Sequence, residues 1–118
     1  EEPMNTLATS QLIHCKRGTP PLDKAACSEL LRELPAWSML QVQGVAHLHC
    51  EYAFSNFVDA LRFANTVGAL AETANHHPML VLAWGKVEVH WWTHTLKGLH
   101  NNDFVMAART DLAFRELP

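Results

Sequence analysis

Five of the chain's eight histidines fall between Ala71 and Asp103, in "AETANHHPMLVLAWGKVEVHWWTHTLKGLHNND". His76 and His77 are adjacent and precede Pro78, while His94 ends an apolar stretch that carries Trp91 and Trp92. Imidazoles in such a cluster can bind a metal, move protons or simply fill space. Adjacent histidines diverge in most backbone conformations, whereas metal sites favour spacings such as i, i+4 on a helix or Cys-x-x-Cys on a loop. No cysteine lies nearby, so no metal is expected. Proton chemistry fits better, because histidine donates and accepts near neutral pH. Glu72 lies four residues before His76, and one helical turn could join them. A carboxylate beside an imidazole favours its protonated form. Glu72 would otherwise be a surface acid badly placed near a helix C-terminus, at a cost of a few tenths of a kcal/mol. From spacing alone these two readings stand about even. Asp103 reads best as an acid in the first turn of a helix, where it caps and complements the dipole. Trp37 is either core or a stacking platform for a planar ring.

The elements that must position these residues follow from periodicity. Residues 1–21 lack it and read as a loose N-terminal arm, and 22–118 as one domain. Met4 is taken as the native start. The first helix begins at Asp23, a good N-cap, carries Cys27, Leu30, Leu31 and Leu34 as its apolar stripe, and stops before Pro35. "WSMLQVQGVAHLHCEYAF" gives two strands with a turn at Gln43-Gly44. Alternation puts Ala46, Leu48, Cys50 and Tyr52 on one face and His47, His49 and Glu51 on the other, where they are expected to be solvated. A second helix from about Ser55 to Thr73 has Phe57, Leu61, Ala64, Val67 or Gly68, and Ala71 at helical spacing. "MLVLAWGKVEVHWWTH" is a hairpin turning at Gly85-Lys86. Val87, Val89, Trp91 and Thr93 share one face; Glu88, His90, Trp92 and His94 share the other. A last helix bears Phe104, Val105, Ala108 and Leu112. The expected fold is α+β, in the order α-β-β-α-β-β-α, with a four-stranded antiparallel sheet and three helices packed on one face.

Composition excludes several classes. The 118 residues are 48% apolar and 18% charged with a net charge of −3, as in an ordinary globular domain. No basic run suggests direct nucleic-acid binding, no apolar run approaches the roughly 20 residues of a membrane span, and no signal peptide is evident. Three scattered cysteines, Cys15, Cys27 and Cys50, fit reduced thiols and a cytoplasmic location.

Glu72, "HHP" at His76-His77-Pro78, Trp84, Thr93-His94 and "GLHNND" ending at Asp103 together resemble the pterin-4a-carbinolamine dehydratases, also known as dimerisation cofactors of a homeodomain transcription factor. The first helix, Trp37 and "FSNFVDALRF" fit the same pattern, which covers most of residues 22–113. Where the family has Ser or Thr after Gly-Leu, this chain has His100, so Asn101 or Asn102 becomes the candidate helix cap. The resemblance implies removal of water from 4a-hydroxytetrahydrobiopterin to give quinonoid dihydropterin, recycling the cofactor of aromatic amino acid hydroxylases, with no cofactor or metal of its own. It implies His76 and His94 as acid and base, with His77 and Glu72 completing the catalytic set. Glu72 would orient a histidine. Asp103, Trp37, Pro78 and Thr93 would bind the pterin or shape its site, and Asp103 would hydrogen-bond His94. A homodimer or homotetramer is implied. The alternative is an interaction protein, without catalysis, that stabilises a partner's dimer or regulates transcription.

Overall fold

The computed structural model describes residues 6–14, 16 and 18–117. Helix α1 spans Lys24–Leu31, β1 Ser38–Val42, β2 Val45–Ala53, α2 Phe57–Ala74, β3 Met79–Ala83, β4 Lys86–Trp91 and α3 Asn101–Arg115. The sheet is antiparallel throughout, in the order β1-β2-β4-β3. With its helices on one face it is the α+β architecture that the hairpin and helix patterns require. Met4 and Cys15 lie outside the described residues. Among the described residues no helix is long and apolar enough to cross a membrane.

Local chemistry explains the boundaries. Asp23 caps α1 by accepting the Ala26 N–H at 2.8 Å. Gln43 and Gly44 both have positive φ, 52° and 81°, which matches the right-handed strand twist in a two-residue hairpin. The second hairpin pairs Ala83 with Lys86, so its loop is Trp84-Gly85, one residue earlier than periodicity suggests. Asn56, rather than Ser55, caps α2, accepting from Asp59 N–H at 2.8 Å.

The core lies between helices and sheet. Leu48, Val87, Val89 and Trp91 from the strands meet Phe63 and Val67 of α2 and Phe104, Val105 and Ala108 of α3, all fully buried. The buried stripe of α2 is Ala60, Phe63, Val67 and Ala71. It is rotated from the expected one at its N-terminal half, leaving Phe57, Val58 and Leu61 exposed. Phe63 sets that rotation: its ring sits 4.8 Å from Tyr52 and 5.5 Å from both Phe54 and Phe114. Truncating it leaves a void that this ring cluster cannot fill, so Phe63→Ala is expected to lower unfolding free energy by about 3–5 kcal/mol in a urea titration. Cys27 and Cys50 are free and buried. Burial pushes the Cys50 thiol up to about 11, which leaves it unreactive.

Two sequence expectations fail here for the same reason: packing was hidden from them. Within 1–21, expected to be loose, the described residues include a 3-10 helix at Thr6–Thr9 that buries Leu7 and packs against α3. Arg109 donates to the Ala8 and Ser10 carbonyls at 3.1 and 2.9 Å. Asn102 grips the Ile13 backbone in both directions, accepting at 2.9 Å and donating at 2.6 Å. His47, expected to be solvated, is buried although it points away from the helices. Its ring stacks on Trp92 at 3.8 Å, and its Nδ1 lies 3.2 Å from that of His90. Desolvation by burial lowers the pKa of both imidazoles and so favours their neutral forms.

Candidate active site

The site forms where α2 ends, α3 begins and the loop after β4 passes between them. Helix α2 stops because Asn75 takes a left-handed conformation with φ 52°, which Asn tolerates well. That reversal sends the two adjacent histidines in different directions. His77 Nε2–H donates to Glu72 Oε2 at 2.6 Å, and both side chains are more than half exposed. His76 turns inward, and its Nε2–H donates to Asp103 Oδ1 at 2.6 Å. An ionised carboxylate only accepts, so this bond places the His76 proton on Nε2 and leaves Nδ1 as the nitrogen available to a ligand. The His76 ring lies parallel to the buried Trp91 indole, at 5.7 Å and 4°.

Asp103 is the hub. It is fully buried, and its second oxygen accepts from Thr93 Oγ1 at 2.7 Å and from the His100 backbone N–H at 2.9 Å. The His100 bond is one half of a capping box. In the other half, His100 Nδ1 accepts the Asn102 N–H at 3.1 Å. His100 therefore caps α3 itself, and neither Asn101 nor Asn102 takes that role. Imidazole is an unusual cap, but its unprotonated nitrogen accepts as a Ser oxygen does.

Thr93 and His94 are held by a tight loop. Thr93 pairs with Gly98 across it, and the Thr93 N–H donates to the Gly98 carbonyl at 2.9 Å. A side chain at Gly98 would meet Pro21 Cβ at 2.7 Å, so only glycine allows this approach. His94 is exposed and stacks on Trp92 at 4.4 Å and 27°.

His76, His77, Thr93 and His94 converge on one open pocket of about 630 Å³. Ala74, Asn75, Thr95 and Asn102 line it as well, together with Leu12, Ile13 and His14 of the N-terminal segment. That last wall had no sequence signal, since nothing in residues 1–21 is periodic; Asn102, which holds it, looked only like a cap. Trp37 and Pro78 do not line the pocket. Trp37 is buried among core rings, where its Nε1–H donates to Asp111 at 3.0 Å and it meets Tyr52 edge-on. Glu72 binds His77 rather than His76, and Asp103 binds His76 rather than His94. The volume suits a bicyclic ligand, and the pocket offers it imidazoles on opposing loops, one of them oriented by a buried carboxylate. Such a set can deliver and remove protons at neutral pH.

An α+β domain with paired histidine loops and a carboxylate hub is thus the class of protein defined here. A family model described as Pterin 4 alpha carbinolamine dehydratase matches residues 20–113. The chain belongs to this family. It is 50% identical to a Chlorobium luteolum protein provisionally named pterin-4-alpha-carbinolamine dehydratase, over 97% of this chain and 100% of that one. A Saccharophagus degradans protein of the same provisional name is 54% identical over 82% of this chain and 86% of its own. Among solved structures, a transcriptional coactivator/pterin dehydratase from Brucella melitensis superposes with a TM-score of 0.71 at 28% identity, covering 79% of this chain and 97% of that chain. A pterin dehydratase-like RuBisCO assembly factor of the α-carboxysome shares the fold, with a TM-score of 0.56 at 22% identity, over 66% and 88% of the two chains.

Proposed function

We propose that this chain is a hydro-lyase that removes water from 4a-hydroxytetrahydrobiopterin, or a closely related tetrahydropterin carbinolamine, and releases quinonoid dihydropterin. The observation that carries this reading is the convergence of His76, His77 and His94 on one pocket, with His76 fixed by buried Asp103. The reaction needs an acid to protonate the departing 4a-hydroxyl and a base to take the N5 proton. Atoms balance without an oxidant, because the hydroxyl and the N5 proton leave as water. His76 and His94, carried on separate loops, supply the pair. His77, braced by Glu72, binds the pterin at the solvent side. Asp103 orients His76, as a buried carboxylate orients the histidine of a hydrolase triad. Thr93 holds Asp103. Fixing both imidazoles before substrate arrives removes much of the entropic part of the barrier.

The role is to recycle the oxidised cofactor that aromatic amino acid hydroxylases leave, in the cytoplasm, and the chain works as a homodimer or homotetramer. The exposed Phe57, Val58 and Leu61 on α2 favour self-association, and they equally suit a non-catalytic role on a partner's helix. One experiment separates the two. Freshly generated carbinolamine is mixed with the protein, and quinonoid dihydropterin is followed by absorbance. Accelerated dehydration is expected. A rate equal to buffer alone, together with binding to a helical partner, would leave only the interaction reading.

A further inference from the structure

The sheet face that carries no helix holds a second cluster of ligating side chains. None of its members lines the pterin pocket. His49 of β2 lies directly opposite His90 of β4, and Glu51 directly opposite Glu88. Side chains on one face of paired strands lie close enough to share a partner. His49 Nε2 is 3.2 Å from Glu88 Oε1, and His90 Nε2 is 3.6 Å from the same oxygen. The three ligating atoms all fall within 4.8 Å of one another.

We propose that His49 Nε2, Glu88 Oε1 and His90 Nε2 form a binding site for a divalent transition-metal ion of the zinc type. Zinc bonds nitrogen and carboxylate oxygen at about 2.0–2.2 Å in tetrahedral geometry, which sets neighbouring ligand atoms roughly 3.3–3.5 Å apart. The two histidine–carboxylate separations, 3.2 and 3.6 Å, bracket that spacing within about 0.1 Å. Two imidazoles and a carboxylate are a donor set that zinc accepts, with a fourth position left for water.

The surroundings are organised as a metal site requires. His90 engages His47 through its Nδ1 at 3.2 Å, which turns its Nε2 toward Glu88. His47 is in turn held flat against Trp92, 6° from parallel. A hydrogen bond from the outer nitrogen of a ligating histidine is the usual way its orientation is set. The Glu88 carboxylate is divided: Oε1 faces the histidines, while Oε2 meets Lys86 Nζ at 3.1 Å. Lys86 also reaches Glu51 at 3.6 Å. Two carboxylates facing each other across strands repel, and one ammonium leaves the group with a net negative charge. A bound cation supplies the missing positive charge.

The test is independent of the dehydratase reading, because it measures metal and not turnover. The full chain is stripped with chelator, titrated with zinc chloride by calorimetry, and its metal content measured after gel filtration. About one zinc per chain is expected. Glu88→Gln and His49→Gln should abolish uptake, His77→Ala should leave it intact, and His47→Phe should weaken it about 10- to 100-fold. No uptake overturns the proposal. So does uptake that survives Glu88→Gln and disappears in His77→Ala, which would put the ion in the pterin pocket. A second measurement needs no variant. Cobalt added to the stripped chain should give the intense visible bands of a four-coordinate site; the pale spectrum of the hydrated ion overturns the assignment.

Discussion

Replacing His76 and His94 together by alanine is expected to remove nearly all dehydratase activity while the protein still folds. One positioned acid or base contributes about 10²–10⁴ in rate, and the double variant removes both. The two single variants differ in an informative way. His94 is exposed and touches only the edge of the fold through Trp92, so His94→Ala should lower kcat with stability held within about 0.5 kcal/mol. His76→Ala also leaves a buried Asp103 oxygen without its donor, which costs a further 1–3 kcal/mol or so. Stopped-flow absorbance on fresh carbinolamine gives the rates, and thermal melts give the stabilities. If the double variant melts cooperatively and keeps more than about a tenth of wild-type kcat, these histidines are not the acid and base.

The parts of this site that were legible beforehand rest on local rules. Alternation assigns the strand faces, and both hairpins and all three helices follow from periodicity; most ends are off by a residue or two, but α1, expected to run through Leu34 to Pro35, already ends at Leu31. The misreadings have one physical origin: sequence spacing describes an element only while the element continues. Glu72 and His76 are one turn apart on an ideal helix, but Asn75 leaves the helix between them, and the pairing passes to His77. Alternation places His47 on the helix-free face, yet it cannot say that Trp92 and His90 cover it there. Trp37 had a core reading and a platform reading, and only the distant Asp111 decides between them. His100 looked like a lost cap because the imidazole is seldom ranked among caps, although it has the acceptor that the position needs. From the sequence Asp103 is a capping acid, and in the fold it is one; the same carboxylate also reaches the pocket through His76.

That double duty makes Asp103 the residue where substitution separates structure from chemistry. Asp103→Asn keeps the size and one acceptor oxygen. The oxygen can still take the Thr93 hydroxyl and the His100 N–H, so the cap survives and stability should fall by only about 1 kcal/mol. The amide nitrogen, however, now faces His76 Nε2. It donates where the carboxylate accepted, and His76 must present an unprotonated Nε2 and carry its proton on Nδ1 instead. The nitrogen that faces the ligand then has the wrong proton state. In hydrolase triads the same exchange costs about 10⁴ in kcat with the geometry intact, and a loss of about 10²–10⁴ is expected here. Asp103→Ala should behave differently. It removes the Asp103 half of the capping box and leaves buried donors unsatisfied, so about 2–4 kcal/mol of stability should go along with the activity. Thr93→Val tests the hub from the other side: it removes one bond to Asp103 and no group that faces the pterin's reacting atoms, so kcat should fall far less than in Asp103→Asn. Rates across pH 6–9 and urea unfolding of the three variants read both effects. If Asp103→Asn retains wild-type kcat and the three variants differ only in stability, then Asp103 is a helix cap and nothing more, and His76 does not depend on it.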